Sequence, residues 1–143
     1  MKMWLLQGLL FGVFGLLVED FFTGVKSFLR GDRRGTTTSY LYMPFVWAVG
    51  GWLFAFLEPS VAAIPWLLAR WVAWVLLIYV LEALSGALLK KFLGLVPWDY
   101  SDSKGAALGG TVNLWYIPFW LLLGIGVQPA LHFVAWMAGR LLQ

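Results

Sequence analysis

Two glutamates lie inside long apolar runs of the chain, Glu19 after residues 4–18 and Glu82 within residues 71–89. A carboxylate near the centre of a bilayer costs on the order of 2.5–3.5 kcal/mol even on lenient insertion scales, so an acid there needs a partner, a proton or a ligand. At about 100° per residue, Gly8, Gly12, Gly15 and Glu19 fall within about 60° of one another, and Tyr79, Glu82, Ser85 and Gly86 share a face of a second helix. Small residues let a neighbouring helix approach closely in lipid, which directs Glu19 toward other helices. If the two polar stripes meet, two carboxylates in one dry space repel, and they would share a proton, hold a small cation or grip a polar headgroup. The plainer alternative is that each acid only hydrogen-bonds a neighbouring helix or reaches toward the membrane edge.

A third group of candidates is the block Trp98-Asp99-Tyr100-Ser101. Trp98 and Tyr100 suit a membrane interface, Pro97 stiffens the approach to it, and Asp99 can accept backbone N–H groups or pair with Lys90 or Lys91. These residues cap and tether the loop or contact a ligand directly.

Other chemistries find no residues to carry them. The chain has no cysteine and one histidine, His132, so thiolate or histidine-cluster metal sites are excluded and no cofactor is indicated. It holds no G-x-S-x-G, no H-E-x-x-H and no phosphate-binding G-x-x-x-x-G-K-[ST] motif. An enzyme acting on a lipid or polyprenyl headgroup would use Glu82 or Asp99 as general base, yet no nucleophile accompanies them. The net charge of +3 is gathered between apolar runs and forms no stripe, a pattern that orients a membrane protein and does not suggest nucleic acid.

The elements that must position these residues follow from composition. At 62% hydrophobic and 12% charged, with a mean hydropathy of +0.82, the 143 residues exceed the apolar content of a soluble domain. Four stretches supply the ~20 apolar residues a helix needs to cross a bilayer. They predict an all-α, polytopic membrane protein in a single integral membrane domain, 1–143, with spans at about 4–23, 39–57, 71–89 and 112–138. A basic first loop follows the first span, and the W-D-Y-S loop precedes the last. Glu58-Pro59 is expected to close the second span in a solvated turn, since proline obstructs a helix. Arg70 separates an interfacial lead-in at 61–69 from the third span. Pro118, Gly124, Gly126 and Pro129 predict a kink near Gln128, with two short helices as the alternative. The N-terminal run continues through Phe21 and Phe22 with no small-x-small site before the polar segment, so no cleaved signal is expected. Seven basic residues (Lys26, Arg30, Arg33, Arg34, Lys90, Lys91, Lys104) lie on the first and third loops. The positive-inside rule then makes loops 24–38 and 90–110 cytoplasmic and puts both termini outside, in a bacterial inner membrane.

The run from Glu82 to Pro118 resembles two related groups, the bacterial type IV ABC transporter family, CmpB-like, and the vertebrate transmembrane protein 229 family. The likeness rests on Glu82, Gly86, the block Trp98-Asp99-Tyr100-Ser101, and Gly109 eight residues after the serine. G-L-L-V-E-D-F-F-T-G, with Glu19 at the acid position, is similar to the opening helix. Lys104 and Ala106 stand where bacterial members often carry Pro and Asn, and the acid that the vertebrate group has near Leu114 or Trp115 is missing. The resemblance implies a four-helix membrane fold and no settled activity. Glu19, Glu82, Tyr79, Ser85, Trp98, Asp99 and Tyr100 are therefore candidate ligand-binding residues for a small cation, a proton or a lipid-like amphiphile. The expected partners are membrane lipids and either further copies of the chain or a partner membrane protein. A structural or assembly subunit of a larger membrane complex is the rival role, in which the glutamates only join helices.

Overall fold

The computed structural model describes residues 2–94 and 98–143; Pro97 lies outside the described residues. Four helices dominate: α1 (Lys2–Leu29), α2 (Met43–Ala62), α3 (Leu67–Leu93) and α4 (Ile117–Leu141). All four are long and apolar enough to cross a membrane. Between α3 and α4 lies a short hairpin of β1 (Ala106–Ala107) and β2 (Val112–Asn113), antiparallel, with Ala106 opposite Asn113 and Ala107 opposite Val112. Large apolar side chains such as Phe21, Phe45 and Leu122 are exposed by 70% or more on the helix surfaces. That distribution suits hydrocarbon and is unfavourable in water. The chain divides into two compact units, Met1–Phe56 with Leu131–Gln143, and Leu57–Ala130.

In the first unit the glycine face of α1 receives aromatic side chains from α2. The Trp52 ring lies where a side chain on Gly8 would stand, the Pro44 carbonyl lies at Gly12, and the Trp47 ring lies at Gly15. Phe11 of α1 answers by filling the space over Gly51 of α2. Each tryptophan then donates its indole N–H to a group one turn from its glycine. Trp52 reaches the Trp4 carbonyl oxygen at 2.8 Å and Trp47 reaches Glu19 Oε2 at 3.3 Å. Small residues thus admit large rings, and the rings bring their polar edge to atoms that lipid would leave unsatisfied.

The helix boundaries depart from the expected spans for local reasons. α1 runs on to Leu29 and stops where Gly31, at φ 99°, lets the chain turn back, with Gly31 N–H donating to the Phe28 carbonyl and Asp32 N–H to that of Ser27. α2 passes through Glu58 and Pro59 to Ala62, so the expected closure at Pro59 is corrected. Proline removes one donor, yet its own carbonyl still accepts from Ala63 N–H at 3.1 Å, and the last turn is completed. α3 begins at Leu67, before Arg70, whose Nε donates back to the Ile64 carbonyl at 2.6 Å and ties the α2–α3 connection. Residues 112–116 belong to the hairpin and a 3₁₀ turn, and α4 continues as one helix through Pro129 instead of two short ones.

In the second unit α3 and α4 meet at Gly124, within 3.5 Å of whose missing side chain lie the Trp71 carbonyl, Trp74 and Val75. Trp74 is only 1% exposed. Gln128 on α4 donates to Glu58 Oε1 on α2 at 2.9 Å, so Glu58 joins helices and is not the solvated turn residue its Pro59 neighbour implied.

Three outcomes follow. Gly15→Leu should destabilise the first unit by about 1–3 kcal/mol, because a side chain there overlaps the Trp47 ring and Cβ. Trp47→Phe, which keeps a ring and drops the donor, should cost about 1 kcal/mol, and thermal unfolding in detergent orders the two. The Asp32 carboxyl, held at about 2 against an ordinary 3.8 by the Thr36 hydroxyl, the Arg34 and Thr36 amides and the Ser27 hydroxyl, stabilises its turn above the unfolded value. That contribution is lost as pH falls through about 2. The Arg34 and Thr36 amide resonances should titrate together there.

Candidate functional site

The site is built from one face of α3 and the loop that returns to it. Tyr79, Glu82, Ser85 and Gly86 recur at helical spacing on α3, and the hairpin segment 98–116 is folded against them by a chain of specific bonds. Trp98 donates its indole N–H to the Thr111 carbonyl at 3.1 Å. Gly86 makes this seating possible, since a side chain there would come within 3.3 Å of both Trp98 Nε1 and Thr111. Tyr100 N–H donates to the Gly110 carbonyl at 2.9 Å, and Tyr79 donates its hydroxyl to the Asn113 carbonyl at 3.0 Å. Asn113 Oδ1 accepts from Trp115 N–H at 2.9 Å and starts the turn into α4. Thr111 and Asn113, at 7% and 3% exposure, are the buried polar residues of this unit among the described residues.

Glycines set the hairpin's shape. Gly110 has a φ of 84°, and any side chain on it would collide with Ser101 and Asp99. Asp99 Oδ1 accepts from the hydroxyl and the N–H of Ser101, an Asx turn that opens the hairpin. Those two donors, the hydroxyl first, with Lys90 adding attraction, hold the Asp99 carboxyl below the usual carboxylate range. Asp99 is exposed, and its bonds to Ser101 shape the loop.

At the centre, the Tyr100 hydroxyl donates to Glu82 Oε1 at 3.0 Å. Burial, and next the nearby Glu82 charge, push the Tyr100 phenol well above its ordinary value, so it stays protonated and donating. The Tyr116 ring stands edge-on to Tyr100, with centroids 5.4 Å apart. Glu82 Oε2 is buried and has no hydrogen-bond partner among the described residues. A proton on the Glu82 carboxyl, or a cation beside it, would offset the cost of burying its negative charge.

The structure thus gathers Tyr79, Glu82, Trp98 and Tyr100 around the hairpin. Ser85 shares the helix face, but its hydroxyl donates to the Leu81 and Glu82 carbonyls of its own helix. Glu19 belongs to the first unit, where it accepts from Trp47 and has the Ser39 side chain as a second hydrogen-bonding neighbour. Sequence reasoning missed Thr111 and Asn113, which tie the hairpin to Trp98 and Tyr79. Their only signal is the run Gly105, Gly109, Gly110 bracketing a short polar segment. Among the described residues no group of three or more His, Cys, Asp or Glu could hold a metal ion.

No curated protein and no solved structure matches the chain. The sequence profile of one family, described as "Putative ABC-transporter type IV", matches residues 7–141, which include all four helices and the hairpin except for the first turn of α1. With four helices able to span a bilayer and that match over most of its length, the chain is an integral membrane protein belonging to the ABC-transporter type IV family.

Proposed function

We propose that the protein binds or moves a small cation or a proton through the intramembrane carboxyl of Glu82, with a lipid-like amphiphile as the wider class of cargo. The observation that carries this is the asymmetry of that carboxyl: Oε1 accepts from Tyr100 while Oε2 is buried without a hydrogen-bond partner among the described residues. An acid in that state changes its interactions most when it gains or loses a positive charge, which is the property a carrier site requires. Tyr79, Trp98 and Tyr100 position the hairpin over the site, and Asp99 keeps the hairpin's shape. Glu19 is a second intramembrane acid held by Trp47 and serves the same role in the first unit. Four helices enclose little volume, so the protein works as a homo-oligomer or beside a partner membrane protein. In this reading the membrane is the bacterial inner membrane, with loops 24–38 and 90–110 in the cytoplasm and the termini outside.

A second reading has support from the same bonds. Trp47 to Glu19 and Tyr100 to Glu82 are both joints between elements, which is what a structural or assembly subunit of a larger complex would need.

Glu82→Gln separates the two. Reconstituted into vesicles loaded with a pH- or sodium-sensitive dye, it should lose on the order of tenfold or more of its flux while its melting temperature shifts by only a few degrees, since glutamine still accepts from Tyr100. Equal flux, or unfolding without any change in flux per folded molecule, would favour the structural role. Tyr100→Phe should loosen the hairpin by about 1 kcal/mol and weaken cation binding without abolishing it. The absence of cysteine from the sequence allows the orientation to be read from single cysteines: Arg33→Cys and Ser103→Cys should resist an impermeant thiol reagent added outside, and Leu142→Cys should react.

A further inference from the structure

The turn after α1 carries the densest charge in the chain and takes no part in the Glu82 centre. Arg30, Arg33 and Arg34 are all exposed, and among the described residues none of the three guanidinium groups has a hydrogen-bond or ion-pair partner. The acid between them forms no ion pair with their guanidinium groups. Asp32 is turned onto its own backbone, where Oδ2 accepts from the Ser27 hydroxyl and Thr36 N–H, each at 3.0 Å, and Oδ1 from Arg34 N–H at 3.0 Å.

The backbone carrying the arginines is fixed on both sides of Asp32. Gly31 N–H reaches the Phe28 carbonyl at 3.0 Å, Asp32 N–H reaches that of Ser27 at 3.2 Å, and Gly35 N–H reaches that of Asp32 at 2.9 Å. Gly31 and Gly35 take the left-handed conformations these closures demand. The segment that follows is tied down as well, since Thr38 N–H donates to the Thr23 hydroxyl at 3.2 Å. A flexible basic loop would scatter its charges, whereas this one presents three guanidinium groups from a braced turn.

We propose that this turn is a binding site for the phosphate of an anionic lipid headgroup, with Arg30, Arg33 and Arg34 as its ligands and Asp32 setting their spacing. Guanidinium forks match phosphate oxygens two at a time and are weakly hydrated, so exchanging water for phosphate costs them little. The choice of a lipid over a soluble phosphate comes from the neighbouring side chains. Phe28 and Leu29, 58% and 79% exposed, stand immediately before Arg30 at the end of a span-length apolar helix. Apolar surface continuous with a phosphate site fits a molecule that carries acyl chains, and the helix end lies where headgroups are. The inference is independent of the reading of Glu82.

Native mass spectrometry of the purified protein in a neutral detergent, titrated with phosphatidylglycerol or phosphatidylcholine, tests it. Phosphatidylglycerol should bind preferentially. Changing Arg30, Arg33 and Arg34 to Gln should weaken it by about fivefold per arginine, on the order of a hundredfold together. The variant Lys90→Gln, Lys91→Gln, Lys104→Gln removes the same charge and should leave most of the preference intact; an equal loss would reduce the effect to net charge and overturn the site. Asp32→Asn is the sharper arm. It makes the protein more positive, so simple attraction would tighten binding, but by releasing the turn it should weaken the phosphatidylglycerol preference several-fold. Unchanged or tighter binding by that variant refutes the proposal. Millimolar inorganic phosphate should fail to displace the lipid, and displacement would assign the turn to a soluble anion instead.

Discussion

Within a membrane, a polar atom that finds no partner in the protein finds none at all, and this constraint organises most of what the chain does. Backbone groups meet it by forming helices. Side chains meet it through bonds that reach from one element to another. Trp52 serves the Trp4 carbonyl, Trp47 serves Glu19, Gln128 serves Glu58 and Tyr100 serves Glu82. In each case the donor comes from a different element than the acceptor, so satisfying the polar atom also fixes the packing. Glu82 Oε2 departs from the pattern, as do the Tyr42 hydroxyl and the Trp120 indole nitrogen, all buried without a hydrogen-bond partner among the described residues; of these only Glu82 can carry a negative charge inside an apolar helix.

The two units solve the packing problem with the same device. Glycines at helical spacing leave hollows, and tryptophans occupy them: Gly8 and Gly15 receive Trp52 and Trp47 in the first unit, and Gly86 gives room to Trp98 in the second. A ring seated this way packs closely against the glycine face while its N–H is delivered to a chosen acceptor. Several of the ten tryptophans are therefore joints between elements, in addition to any role as interfacial anchors.

The four helices and the glycine face of α1 were legible in the sequence because both are periodic signals, one of apolar content and one of residue size. The ends of the helices were less so. Pro59 reads as a terminator, yet the helix continues because the structure tolerates the loss of one donor, and Glu58 then points to Gln128, 70 residues away. The hairpin was invisible to any periodicity argument, since its strands are two residues long. Trp98, Asp99 and Tyr100 stood out as a block, but the Tyr100–Glu82 bond spans 18 residues and depends on a turn set by Gly110. Local sequence indicates which residues are costly to place, and the connecting loops decide where their partners come from.

The Tyr100 hydroxyl joins a loop that carries exposed residues to a carboxyl on a helix long and apolar enough to span a membrane, and thermodynamic reciprocity then applies to that bond. Any charge arriving at Glu82 that competes for Oε1 withdraws free energy from the seating of the hairpin. Any molecule that holds the hairpin in place alters the affinity of Glu82 by the same amount. Under the proposed function, that single 3.0 Å contact makes occupancy of the carboxyl and conformation of the hairpin two readings of one equilibrium.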